Sequence, residues 1–169
     1  RPGPLSRAKE HIKEYRLEEK IQTRLSDGLA NIKPGEADSL IMSGIGGILM
    51  MRLLQDEEHT AKSFKELILS PQSELFDVRR YLVSNGDLIE YEHMLCDEGK
   101  FDFIFHVLVK KDEREWSEEE YRYGKDICKD DMKTFLAYLE KEERQYEQIL
   151  EKMKQAPEND RAAQRIAQL

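Results

Sequence analysis

Hydrophobic residues recur along the first two-thirds of the chain in two alternating patterns. Leu5, Ala8, Ile12 and Tyr15 are spaced as one face of a helix, with Pro4 near its start. The same period predicts helices over Gly47–Glu57 and Glu74–Ser84, the second carrying Leu75, Val78 and Leu82 on one side. Short apolar runs at Ile21–Leu25, Ser39–Ser43, Glu66–Leu69, Leu88–Leu95 and Phe101–Val109 read as strands. Strand–helix–strand alternation at this spacing predicts an α/β fold, a mostly parallel sheet covered on both faces. The last two runs break the rule. Only Cys96-Asp-Glu-Gly-Lys100 joins them, too short for a parallel crossover, so they must form an antiparallel hairpin.

Beyond Lys110 the strand pattern stops. KKDEREW reads as a charged connector, and helix formers dominate from Ser117. Cys128, Met132, Phe135, Leu139, Glu142, Tyr146, Ile149 and Met153 then alternate by four and three positions, a heptad seam broken by the acidic Glu142. Glu118–Asp126 could supply a returning arm that turns at Gly124. The polar tail from Pro157 is expected to fray, with a short helix over Ala162–Leu169 as the alternative. The expected units are residues 1–112, an α/β domain; residues 113–156, a helical coiled-coil-like domain; and residues 157–169, a polar tail.

Composition narrows the class more than the chemistry. Charged residues make up 37% of the 169 and hydrophobic ones 39%, enough for one core. No run approaches the roughly 18 apolar residues of a membrane span, and no apolar signal region opens the chain. A cytoplasmic protein without membrane attachment is therefore the expectation. Cys96 and Cys128 lie far apart, which argues against a disulfide framework or a zinc site. The net charge of −8 excludes a basic-coated surface but not nucleic acid, which needs only a local basic patch. The chain opens at Arg1 inside a loop-like RPGPL and enters directly into a helix, as a fragment would; initiator processing is the alternative.

Candidate chemistry gathers at the ends of the expected strands. Ser43-Gly44-Ile45-Gly46-Gly47 follows an apolar run and opens a helix, where glycines admit a ligand to backbone N–H groups and the helix N-terminus favours negative charge. Leu49 stands where a dinucleotide fingerprint needs glycine, so that motif fails, and a tight strand-to-helix turn is the alternative. Asp27-Gly28 closes another run; its carboxylate could accept from a purine amino group, or the pair could simply make a turn. At Ser70-Pro71-Gln72, a stiffened glutamine could read an adenine edge or again mark a turn. His11, His59, His93 and His106 share no ligand spacing, and neither a metal set nor a P-loop is present.

Taken in order, GPLSRAKEHIKEYRLEEKIQTRLSDGL, GEADSLIMSGIGG, LILSPQSELFDVRRYL, DEGKF and the heptad helix resemble the TrmK family, from Gly3 to about Lys154. Members of that family methylate N1 of adenine-22 in the D-arm of tRNA. The resemblance implies a class I, Rossmann-like methyltransferase sheet whose N-terminal strands are absent, ending in an antiparallel hairpin and followed by a C-terminal α-helical, coiled-coil-like domain. It implies S-adenosyl-L-methionine as cofactor and tRNA as substrate, with no metal. Asp27 and Gly28 are implied near the cofactor's adenine, and Ser43, Gly44, Gly46 and Gly47 beside its methionine moiety. Gly44, Pro71 and Gln72 are implied at the target base. The family usually shows Ala-Gly-Met-Gly-Gly where Ser43–Gly47 stands, Gln-Pro-Asn where Ser70–Gln72 stands, and an aromatic where Asp102 stands. Its first-strand segment and the acid ending its second strand are absent, so the 169 residues alone are expected to lack half of the cofactor site and to be inactive.

Adenine N1 carries an in-plane lone pair, so methyl transfer needs positioning rather than a strong base. Lys125, Lys129, Lys133, Lys141, Arg144, Lys152 and Lys154 could grip tRNA from the helical region, or form an ordinary solvated face among interleaved acids. Two rival readings remain open. One is a non-catalytic interaction module that dimerises through the heptad helix; the other is a nucleotide-dependent α/β enzyme of another class, such as an oxidoreductase.

Overall fold

A computed structural model describes residues 2–127 and 131–155. The elements follow the periodicity closely. Helix α1 spans Pro2–Glu14, strand β1 Ser39–Ile45, α2 Gly47–Asp56 and the short α3 Glu58–Ala61. Strand β2 (Glu66–Pro71), α4 (Leu75–Ser84), β3 (Leu88–Asp97) and β4 (Lys100–Leu108) complete the α/β part; α5 (Glu118–Tyr123) and α6 (Met132–Gln155) follow. Cys128, Lys129 and Ala162–Leu169 lie outside the described residues, as does the side chain of Lys154.

The four described strands run in the order β1-β2-β4-β3. β1 and β2 are parallel, pairing Ile41 with Ile68 and Ser43 with Ser70, whereas β4 runs antiparallel to both β2 and β3. The sheet is therefore mixed rather than mostly parallel, because β4 returns between its neighbours after a tight turn at Glu98 and Gly99. Both turn residues have positive φ (47° and 80°), the geometry whose twist matches a two-residue hairpin.

Alternation along the strands sends Leu67 and Leu69, Phe103, Phe105 and Val107, and Ile89 into one core with Met50 and Leu54 of α2 and Val78 and Leu82 of α4. The opposite face is less covered than the run pattern suggests. Ile41 there is 71% exposed and its neighbour Ile68 is only half-buried.

Two further expectations are corrected. Ile21–Leu25 forms no strand: these residues join no ladder, and both Ile21 and Leu25 are exposed. An apolar run becomes a strand only where a neighbour takes up its backbone hydrogen bonds. The arm expected over Glu118–Asp126 is helical only to Tyr123, packs on α4, and ends at Gly124 with φ 87°. Its start carries a reciprocal capping box, with Ser117 Oγ accepting from Glu120 N and the Glu120 carboxylate accepting from Ser117 N.

The connector is pinned rather than loose. Asp112 accepts from the Arg114 guanidinium, the Arg114 N–H and the Trp116 indole, and Arg114 also donates to the Ile89 carbonyl. Burial pushes the Asp112 carboxyl up, but these donors outweigh it and hold the group down at about 2.

Candidate functional site

The parallel pair β1–β2 sets the site, because ligands in such sheets sit beyond the carboxyl ends of the strands. Ser43 is exposed and still paired with Ser70; the ladder then slips by one residue, and Ile45 lies opposite Pro71. Gly44 occupies the bulge with φ 76°, and a Cβ there would meet nothing within 4 Å. The position needs glycine for its left-handed backbone and not for packing, which leaves open space in front of its peptide groups.

Gly47 is the opposite case. A Cβ on it would lie 2.5 Å from the Ser73 carbonyl oxygen and 2.8 Å from Val78 Cγ2. Its reason is close approach between the start of α2 and the segment entering α4. Gly46 precedes it as the N-cap residue of α2. Gly47→Ala should accordingly lower stability by about 1–3 kcal/mol, the cost of overpacking a dry contact. Urea unfolding measures this; a change below about 0.5 kcal/mol would leave the glycine without a packing reason.

The negative charge anticipated at the α2 N-terminus is supplied by the chain itself. Glu74, held left-handed at φ 53°, accepts from Ser73 Oγ and lies 3.4 Å from the Ile48 N–H. Nothing in the local sequence marks this, since Glu74 arrives from the next strand–helix turn.

Asp27-Gly28 forms a real turn, with Ala30 N donating to the Asp27 carbonyl at 3.2 Å and Asn31 bonding back to Ser26 and Leu25. Leu29 anchors that turn in the core, and Gly28 packs on Leu53 of α2. The Asp27 carboxylate remains exposed at its tip. Both readings of this pair thus share one geometry.

Pro71 is buried at the end of β2, and Gln72 N donates to the Ile45 carbonyl at 2.9 Å, tying this strand end to the glycine bulge. From there opens a cleft of about 590 Å³ between the β2–α4 turn, the hairpin and α6. Phe76, Phe101, Phe103, Tyr138 and Tyr146 give it aromatic walls; Lys100, Arg122 and Lys141 give it cations. Tyr138 is the hinge of the contact, edge-on to Phe101 and Phe103 at 5.4 and 5.2 Å, with its hydroxyl donating to Glu142 at 2.7 Å. Burial first, then the Glu142 carboxylate, pushes the Tyr138 phenol well above its ordinary value, so it stays a donor. Lys141, one of the cations offered for tRNA or for a solvated face, donates to the Gly99 carbonyl at 2.8 Å and lies over the Phe101 ring. The acid that interrupts the heptad thus holds Tyr138 from one turn further along α6, and Tyr138 seats the first turns of α6 on the hairpin.

Among the described residues no group of three or more His, Cys, Asp or Glu could hold a metal ion, and no helix is long and apolar enough to cross a membrane.

A mixed sheet whose parallel pair ends in a glycine bulge beside an aromatic-walled cleft, and which closes in an antiparallel hairpin, has the Rossmann-like methyltransferase fold. The chain belongs to the TrmK family, tRNA (adenine(22)-N(1))-methyltransferase, whose family model matches residues 1–169. The Bacillus subtilis tRNA (adenine(22)-N(1))-methyltransferase is 26% identical over 178 residues, an alignment covering 99% of this chain and 72% of that enzyme. A Streptococcus pneumoniae structure, 27% identical, superposes with a TM-score of 0.82 over 97% of this chain and 72% of its own. The same protein in complex with S-adenosyl-L-methionine, 28% identical, gives a TM-score of 0.79 over 86% of this chain and 67% of that one.

Proposed function

We propose that this chain, which spans 72% of its Bacillus subtilis relative, supplies the Gly44 bulge beside S-adenosyl-L-methionine and the Gln72 cleft around the target base in an enzyme that methylates N1 of an adenine in tRNA. The observation that carries the reading is the open space at Gly44. A backbone bulge whose missing Cβ would touch no protein atom, beyond the carboxyl ends of two parallel strands, is a cradle for a ligand. The exposed Asp27 carboxylate is suited to accept from the cofactor's adenine amino group.

When bound, S-adenosyl-L-methionine supplies an electrophilic methyl group on sulfur. The adenine N1 lone pair forms the new bond to that methyl carbon as the carbon–sulfur bond breaks, and the electron pair of the broken bond stays on sulfur. No proton must be removed for this step, so the protein's task is placement. The base leaves its stack and finds the apolar walls of Phe101 and Tyr138, while Gln72 addresses its polar edge. Residues 113–156 form the tRNA-facing part of the same proposal. A helical partner along the later part of the α6 seam, where Ile149 is 42% exposed, and a cytoplasmic location belong to it as well.

Asp27→Ala should weaken S-adenosyl-L-methionine binding by roughly 1–3 kcal/mol, the worth of a polar ligand group left without its partner. Titration calorimetry measures this, and mass spectrometry of digested tRNA reports N1-methyladenine. Unchanged cofactor affinity would reduce Asp27 to a turn residue; absence of N1-methyladenine with the parent enzyme would overturn the proposal.

A further inference from the structure

Gln72 does not stand alone at the mouth of the cleft. Its Nε2 donates to Asp102 Oδ1 at 3.2 Å, and Lys100 Nζ holds the same oxygen at 2.9 Å. Asp102 lies at the start of β4, and Gln72 follows the end of β2. The side chain of Asp102 is 31% exposed, so solvent reaches one side of the group.

A glutamine amide is ambiguous by itself, because it can turn either its oxygen or its NH₂ toward a base. An ionised carboxylate removes that ambiguity, since it only accepts hydrogen bonds. The NH₂ of Gln72 must face Asp102, and Oε1 is the atom turned away from it. Adenine and guanine differ in what such an oxygen would meet. Adenine presents the N6 amino group, a donor, next to N1; guanine presents O6, an acceptor, next to a protonated N1.

We propose that Asp102 is a positioning residue that locks the Gln72 amide with Oε1 as acceptor, and thereby selects adenine over bases lacking a donor at the 6-position. The inference rests on the methyltransferase reading above and adds how that site chooses its base. Lys100 above all, then Gln72, keeps the Asp102 carboxyl below the usual carboxylate range. The lock therefore stays charged through the neutral range, and base selection should not change between about pH 6 and 8.

The test uses the full enzyme and two tRNA transcripts, identical except that one carries purine, without the 6-amino group, in place of the target adenine. Steady-state kcat and KM are measured for the parent, Asp102→Leu and Asp102→Asn, with melting temperatures to compare folding. In the parent, adenine should exceed purine in kcat/KM. Asp102→Leu should lose about tenfold in kcat/KM on the adenine transcript and change little on the purine one, so the preference shrinks about tenfold. That factor corresponds to one ordinary hydrogen bond. In Asp102→Asn the donor Lys100 keeps the amide oxygen at the position shared with Gln72, so an acceptor remains there and the preference should return to within about threefold of the parent. A parent that methylates tRNA while its preference is unmoved in Asp102→Leu overturns this inference alone. So does an Asn variant as indiscriminate as the Leu variant. A parent with no methylation of the adenine transcript overturns the methyltransferase reading and this inference with it.

Discussion

Replacing Arg79 with methionine should destabilise the protein by about 3–5 kcal/mol, the cost of breaking a buried ion pair from one side. Arg79 is fully buried in α4, and its partner Glu92 on β3 is 3% exposed. Nε lies 3.0 Å from both Glu92 oxygens, and Nη2 donates to Oε2 at 2.8 Å. Nη1 reaches further, donating to the carbonyls of Tyr121 and Arg122 at 2.9 and 2.8 Å. One guanidinium thus satisfies a buried carboxylate and also the last carbonyls of α5, which have no helical partner of their own. Arg79→Met leaves both unpaired. The double variant Arg79→Met with Glu92→Met removes the charge problem but not the orphan carbonyls, so it should recover only part of the loss. Trp116, the only tryptophan, stacks on Tyr121 at 5.3 Å and reports the consequence directly. Its fluorescence should shift in the single variant before global unfolding, as α5 loosens from α4. Urea titration showing a loss below about 1 kcal/mol would mean that the pair contributes far less than its burial implies.

The sequence betrays the parts of this fold that short-range physics decides. The hairpin is legible because so short a connector between Leu88–Leu95 and Phe101–Val109 permits only antiparallel pairing. Helices α2 and α4 are legible from the spacing of apolar residues on one face. What stays hidden depends on partners distant in sequence. Ile21–Leu25 has the composition of a strand, but composition does not show whether a neighbour takes its hydrogen bonds. The glycine cluster mixes two reasons for glycine. Gly44 is open and Gly47 is tight, and only Ser73, Glu74 and Val78, well over twenty positions later, distinguish them. Lys141 reads as a solvent cation until the Gly99 carbonyl, 42 residues upstream, is found beside it. Asp102 stands out as a departure from the family's usual aromatic, yet its hydrogen bond to Gln72 crosses 30 residues. Each functional side chain sits where the strand order carries it, and strand order is not written locally.

Neutralising Lys133, Arg144 and Lys152 together as glutamines should weaken tRNA binding about a hundredfold near 0.1 M salt, and by little near 1 M. With Lys141 bonded to the hairpin, Lys133, Arg144 and Lys152 are the exposed cations among the described side chains of α6 and would supply its phosphate contacts. Lys133 and Arg144 are eleven positions apart, which at about 100° per residue returns them to within roughly 20° of one another. Lys152 falls within about 100° of the same line. From Lys133 to Lys152 the helix advances about 29 Å, a longer baseline than the cleft provides. A chain of net charge −8 repels RNA as a whole, so affinity must come from such a local stripe and be steeply dependent on salt. Each lost phosphate contact removes about 0.7–0.9 from the slope of log K against log salt, so three remove roughly 2–3. Across the one decade from 1 M to 0.1 M salt, a slope change of 2 is a hundredfold. S-adenosyl-L-methionine affinity should stay at the parental value, because these side chains lie away from the Gly44 bulge. Filter binding across a salt series decides it. A parental slope in the triple variant would place the tRNA on another surface and leave α6 as a packing element.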